Sequence, residues 1–264
     1  MGQSRNSPPL TARSVVASTL LGVDPPRLPT RLLVRSGELF GISQGTTRVA
    51  LSRMVAAGEL IAVGDGHELA GHLLERQARQ QASRSPTTRS WDGRWAMAVV
   101  VGGARASDAR AELRHAMAGL RMGELREGVW LRPDNLVGHP APGLDAVVDA
   151  QCQRFVSSLP DADGSTPLSG RLWDLPAWKS RADELRTELD AIVGSLERGD
   201  TDALAPGFVL SAAVLRHLLA DPLLPPELLP DGWSGDALRL DYDRYDDAFK
   251  ALWRDWFRRA RDPD

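Results

Sequence analysis

The stretch from Pro29 to Ala70 limits the possible folds of this chain more than any other. It reads PTRLLVRSGELF, then a GIS turn, then QGTTRVALSRMVAAG, then two short apolar runs around Gly64-Asp65-Gly66. Helix, turn, helix, β-ribbon is the order of a winged helix-turn-helix, which sets its second helix in a DNA major groove. At about 100° per residue, Thr47, Ala50, Leu51, Met54 and Val55 fall on one side of that helix, with Leu60 just beyond. Gly45, Arg48, Val49, Ser52 and Arg53 fall on the other, with Thr46 at its edge; this face carries two arginines and no acid. Small residues let a backbone approach a groove, hydroxyls bond phosphates or base edges, and Arg can hold guanine O6 and N7 together. Gly41 suits the tight turn and Ser43 the helix cap. The expected DNA-facing set is therefore Ser43, Gln44, Gly45, Thr46, Arg48, Val49, Ser52 and Arg53. For one isolated helix an ordinary solvated face is the better reading; the turn, the ribbon and the charge distribution move the balance to DNA.

That distribution is uneven. Of 264 residues, 32 are Lys or Arg and 35 Asp or Glu, a net charge of −3. Residues 1–90 hold 11 Arg against 6 acids, which leaves 21 basic against 29 acidic residues in the rest. A basic first third ahead of an acidic remainder suits one nucleic-acid-binding domain on a body that does not touch DNA. Cys152 is the one cysteine, so a disulfide framework or a cysteine-built zinc site within the chain is ruled out. No unbroken run of about 18 apolar residues and no apolar signal core in MGQSRNSPPL are visible, so the chain reads as cytoplasmic, without membrane contact.

In chain order, 1–9 reads as a disordered polar arm. Leu10–Leu21 reads as a first helix with Thr11 as its cap, separated by Pro25, Pro26 and Pro29 from the next. Leu73–Arg84 is a polar helix, and Ser85-Pro86-Thr87-Thr88 a linker. The period then changes: Trp95–Val101 is a strand-length apolar run, Ala109–Met122 a helix, and Gly128–Leu131 a second strand. Strand, helix, strand opens a small α/β sandwich of ferredoxin type. Leu144–Ala150 and Cys152–Ser157 fit a further helix and strand, and Leu159–Gly170 reads as loop. From Pro176 on the pattern is helical, with segments at Ala177–Leu196, Asp202–Leu219 and Asp236–Arg261 and a rigid proline-rich stretch at Asp221–Gly235. The aromatics of the last helix read as core or dimer contact. The expected fold class is α+β: an N-terminal winged helix-turn-helix domain (10–84), a central ferredoxin-like α/β domain (91–170) and a C-terminal helical domain (171–264).

These residues carry a family likeness. TTRVALSRMVAAGEL, with Arg48, Ser52, Arg53 and Gly58, WDGRW at Trp91–Trp95, GVWLRP at Gly128–Pro133, WDL at Trp173–Leu175, and DPLLPPELLPDGWSG at Asp221–Gly235 preceded by Arg216 together resemble the PaaX family. Members of that family repress phenylacetic acid degradation operons in bacteria. The resemblance implies a homodimer that binds a double-stranded operator and releases it when an aryl-CoA thioester binds, with the C-terminal domain serving dimerisation and effector response. Trp91, Arg94, Trp95 and Arg132 are the effector-lining candidates, apolar rings for the acyl end and cations for the phosphates, although packing is the commoner use of tryptophan.

Chemistry is the rival class. The central domain is similar to ferredoxin-like nucleases associated with CRISPR systems, which need metal-binding carboxylates at the end of the first strand. That strand ends in Val101-Gly102-Gly103, and the nearest acid, Asp108, lies past it. His67, His72, His115, His139 and His217 show no metal-ligand spacing, and there is no G-x-S-x-G elbow or phosphate-binding glycine loop. No catalytic residue, metal or cofactor is expected; a metal-dependent nuclease and a dimeric DNA-binding protein without a ligand are the alternatives.

Overall fold

A computed structural model describes residues 10–103, 105–138, 142–160 and 164–259. The arm expected at 1–9 lies outside the described residues. The described chain packs as two compact units interleaved in sequence: residues up to 77 with 195–212 and those from 248 on, and residues 78–194 with 213–247. This packing groups the residues differently from the three sequence segments.

In the first unit, α1 (Ala12–Leu21) starts at Thr11, where Ser14 N donates to Thr11 Oγ1 and Thr11 N donates to Ser14 Oγ. That reciprocal box satisfies amides the helix itself leaves open. β1 (Arg27–Pro29), α2 (Thr30–Glu38), α3 (Gln44–Ala56), β2 (Leu60–Val63) and β3 (Gly66–Leu69) follow. The three strands form an antiparallel sheet in the order β1-β3-β2. Val16, Leu20, Leu33, Leu51, Met54, Leu60 and Leu69 close one core beneath it. β1 was not expected: three residues hemmed by prolines have no alternation to read, and Gly66 admits the strand because a Cβ there would lie 2.3 Å from the Leu28 carbonyl oxygen.

The second unit begins within α4 (His72–Arg84), and β4 (Arg94–Val100), α5 (Ser107–Gly119), β5 (Gly123–Arg126), β6 (Val129–Pro133), α6 (Pro142–Gln151) and β7 (Cys152–Ser158) succeed it. The sheet order β5-β6-β4-β7, antiparallel throughout, is the split βαβ arrangement of a ferredoxin-like fold. Alternation along the strands separates two cores. Ala98 and Trp130 face α5 and α6 through Leu113, Met117 and Val148, while Trp95, Val129 and Leu131 meet Leu168, Leu224 and Leu228.

Leu168 belongs to α7 (Ser165–Leu172), so the segment expected to be loop up to Gly170 is helical from Ser165. About two turns pinned by a single buried leucine leave too few apolar positions for a period to show. The remaining helices are α8 (Leu175–Glu197), α9 (Leu204–Leu219) and α10 (Gly235–Arg259). Thr201–Leu219 is long and apolar enough by composition to cross a membrane, and 39% of its apolar window is buried inside the protein. Its Leu204, Phe208, Val214 and Leu218 are all buried, the pattern of a core helix. In the first unit Trp253 and Phe257 of α10 are buried, and Phe249 and Trp256 half-buried beside them. Trp253 packs on Phe208, Phe249 and Phe257, Phe208 on Phe40 at 5.0 Å between centroids, and the Arg35 guanidinium lies 4.5 Å over Trp256.

α2 and α3 approach so closely that a Cβ at Gly37 would sit 2.5 Å from Thr47 Oγ1. Thr47 is fully buried and its hydroxyl donates to the Ser43 carbonyl at 3.2 Å, so it has little freedom to retreat. A helical Gly→Ala change usually gains up to about 1 kcal/mol. Here overpacking of about 1–3 kcal/mol opposes it. Gly37→Ala should therefore lower stability to denaturant, and adding Thr47→Ala should cost less than the two single losses summed. A stabilised Gly37→Ala variant would contradict the close approach.

Candidate nucleic-acid interface

Ser43 begins α3. Its backbone is extended, and its Oγ accepts from Thr46 N at 3.2 Å. Gly41, at φ +68, makes the turn from α2, and Gly58, at φ +70, ends α3 in the left-handed region that favours glycine. Between these stops Thr47, Leu51 and Met54 are buried, whereas Val55, expected inside, is 36% exposed. Gln44, Gly45, Thr46, Arg48, Val49, Ser52 and Arg53 are all exposed.

The eight expected residues are thus on one continuous surface, but they are not equally available. The Ser43 and Thr46 hydroxyls bond each other at 2.8 Å, Gln44 Nε2 donates to Glu38 Oε1 at 2.8 Å, and Ser52 Oγ donates to the Arg48 carbonyl. Among the described residues neither Arg48 nor Arg53 has an ion-pair partner. Arg53 and Thr46 line a groove of about 390 Å³ together with Arg13 and Glu59. In that groove Arg13 is neutralised. Its Nε donates to Glu59 Oε2 at 2.9 Å and a second guanidinium nitrogen to Oε1, a pair that holds the Glu59 carboxyl below its usual range. Among the described residues of α3 and this groove, the cations without an ion-pair partner are Arg48 and Arg53.

The ribbon turns at Gly64 (φ +61) and is braced from α2, where Thr30 N and Oγ1 both donate to the Asp65 carbonyl. Exposed Arg27 on β1 reaches the ribbon, donating to the Val63 carbonyl at 3.2 Å. Sequence reasoning missed it, because a three-residue strand between prolines gave no sign that Arg27 lies beside the wing.

The four effector candidates do not converge. Trp95 is 2% exposed, packs edge-on to Trp91 at 6.0 Å and donates to Ser165 Oγ. Trp91 donates to the Arg94 carbonyl, and exposed Arg94 pairs with Asp92 at 2.7 Å. Arg132 points through the opposite face of the sheet, since its register partner is Ala96, the neighbour of Trp95. It is 4% exposed and donates to the Pro133 and Leu120 carbonyls and to Asn135 Oδ1. Burial, with Arg121 adding repulsion, pushes the Arg132 guanidinium down to about 9. These contacts are those of a structural residue.

A second buried cluster went unnoticed in the sequence. Asp221 (1% exposed) accepts from Arg239 at 2.6 Å and from Leu223 N at 2.9 Å, Arg121 donates to the Asp221 carbonyl, and Asn135 donates to the Leu223 carbonyl. The proline-rich stretch is thereby fastened to the sheet. Gly235 completes it, since a Cβ there would lie 2.6 Å from Trp233 Nε1. Of the residues weighed for chemistry, Asp108 is exposed in the first turn of α5, and Cys152 is buried with its thiol pushed up by burial. Among the described residues no group of three or more His, Cys, Asp or Glu is placed to hold a metal.

Three family models match in order along the chain: a PaaX-like protein model over 11–75, the PaaX protein central Cas2-like domain over 88–147, and the PaaX-like protein C-terminal domain over 173–261. No curated protein matches. Among solved structures, the uncharacterized protein Rv0674 from Mycobacterium tuberculosis is 39% identical, with a TM-score of 0.72, over 92% of this chain and 97% of that one. The Cas2-like label of the central domain is a likeness of fold. With all three of its domains matched, the chain belongs to the PaaX family, a membership that suggests a transcriptional regulator.

Proposed function

We propose that this protein is a transcriptional regulator that binds double-stranded DNA by laying the outer face of α3 in the major groove. The observation that carries this reading is the pair Arg48 and Arg53, exposed and, among the described residues, without acid partners, on a face of otherwise small or uncharged side chains. The contact set is Ser43, Gln44, Gly45, Thr46, Arg48, Val49, Ser52 and Arg53, with Arg27 reaching phosphate from the wing. Segment 10–84 is the DNA reader, 91–170 a central domain, and 171–264 the helical part that dimerises and answers an effector.

The two arginines divide the work. Arg48 reads a base edge, so Arg48→Ala costs about 1–3 kcal/mol and relaxes preference at one position per half-site. Arg53, in the groove beside α1, holds phosphate, so Arg53→Ala weakens all sequences alike and lowers the salt slope by about one. Binding isotherms on a set of mutated operators at several salt concentrations separate them. Equal or exchanged behaviour would reject this division, and unchanged affinity in both variants would reject the interface.

The finer reading is a homodimeric repressor of an aromatic-compound catabolic operon, relieved by an aryl-CoA thioester. Family membership supports it; the contacts of Trp91, Arg94, Trp95 and Arg132 do not add to it. Two half-sites about one helical turn apart call for two readers, and a ligand releases DNA only if it binds one dimer geometry better than the other. Sedimentation of the protein with labelled operator, with and without micromolar aryl-CoA, tests both points. A dimer that releases DNA with the thioester but not with the free acid is expected. A monomer without DNA would remove the dimer, and unchanged DNA binding with every thioester tried would remove the effector.

A further inference from the structure

Arg105, Arg110 and Arg126 line one groove of about 330 Å³ in the second unit. They come from three separate places: the segment after β4, the first turn of α5 and the end of β5. Two of them are held in position. Arg105 Nη1 donates to Gln151 Oε1 at 3.0 Å, and Gln151 is fixed in turn by donating to the Ala109 carbonyl at 3.2 Å. Arg110 Nη1 donates to the Arg105 carbonyl at 3.1 Å. Among the described residues none of the three has an ion-pair partner, and Glu127 is the one acid of the lining. The same groove has an apolar edge at half-buried Val99, backed by the core residue Val129.

Three cations against one acid in a concave site repel one another, and among the described residues no ion pair offsets that repulsion. Guanidinium donors match phosphate oxygens two at a time, and the arrangement is relieved when a dianion supplies the missing charge. The volume lies at the lower end of small-molecule sites, and a groove with an apolar edge suits a compact ligand better than an extended strand. We propose that this groove binds the phosphate end of a small molecule, a phosphate ester or diphosphate whose apolar or aromatic part lies against Val99. The inference goes beyond the DNA-binding reading and does not rest on the aryl-CoA reading, although it shares its ligand chemistry: none of its residues is in the DNA contact set or among Trp91, Arg94, Trp95 and Arg132, and ADP binding is read separately from release of operator by a thioester.

Calorimetry on the full chain with pyrophosphate, ADP and adenosine tests it. Pyrophosphate and ADP should bind, ADP more tightly, and adenosine should not. Arg110 and Arg126 are exposed, so Arg110→Ala and Arg126→Ala should leave the unfolding midpoint and operator affinity as in the parent. Each should weaken ADP about tenfold or more, with Arg126→Lys recovering part of the loss. Three results would overturn the proposal: no phosphate compound bound at millimolar concentration, alanine variants that bind ADP like the parent, or ADP displaced by operator DNA with operator affinity falling in the same variants. The last would assign the groove to the DNA backbone, while the first two would leave the role of α3 in operator binding intact.

Discussion

Where α2 and α3 cross there is room at Gly37 for a hydrogen and for nothing larger. Helices usually pack about 8–10 Å apart, and a missing Cβ is what lets a buried hydroxyl sit at the contact. The consequences run in sequence. Thr47 fills the space and bonds the Ser43 carbonyl; Ser43, held there, caps Thr46 N; the capped helix starts in one register. With Thr47, Leu51 and Met54 turned inward, period 3.6 leaves Arg48, Ser52 and Arg53 no direction but outward. The orientation of the surface proposed to face DNA is therefore set from the buried side of α3.

A different device organises the second unit. Its apolar cores on either side of the sheet are ordinary, but the proline-rich stretch is anchored by buried charge. One carboxylate, Asp221, answers Arg239 directly, while half-buried Arg121 and buried Arg132 are set against carbonyl oxygens and the Asn135 amide. Burial pushes Arg121 down to about 10 and Arg132 to about 9, so both stay charged at neutral pH. Hydrophobic residues of similar volume often stabilise as well as a buried ion pair, whereas losing one partner strands the other at about 3–5 kcal/mol. Such a cluster fixes one arrangement of the chain more than it adds stability. It also gives a physical reason for the run DPLLPPELLPDGWSG: its first residue, Asp221, and its last, Gly235, meet at Arg239.

Much of this was legible in the sequence because it depends on local chemistry. The cap at Ser43, the glycine turns at Gly41 and Gly64 and the inward face of α3 rest on spacing alone, and so does the strand-helix-strand opening of the central sheet. What failed to show depends on register or on distant partners. Trp95 and Arg132 sit in neighbouring strands and suggested one site, but the pairing of Ala96 with Arg132 sends them to opposite faces. β1 and α7 are too short for a period to emerge, and each exists because of what it meets: β3 for Arg27–Pro29, the sheet for Leu168. Likewise, nothing in the linear order announces that Arg105, Arg110 and Arg126 share a groove or that Asp221 and Arg239 pair.

The proposed function places the outer face of α3 in a major groove. Methylation interference on the operator tests it most directly, since dimethyl sulfate marks guanine N7 in the major groove and adenine N3 in the minor groove. Loss of binding is expected when guanine N7 is methylated at positions repeated about 10 base pairs apart, with adenine N3 methylation tolerated between them. Interference confined to adenine N3, or none at any guanine of a bound operator, would contradict it.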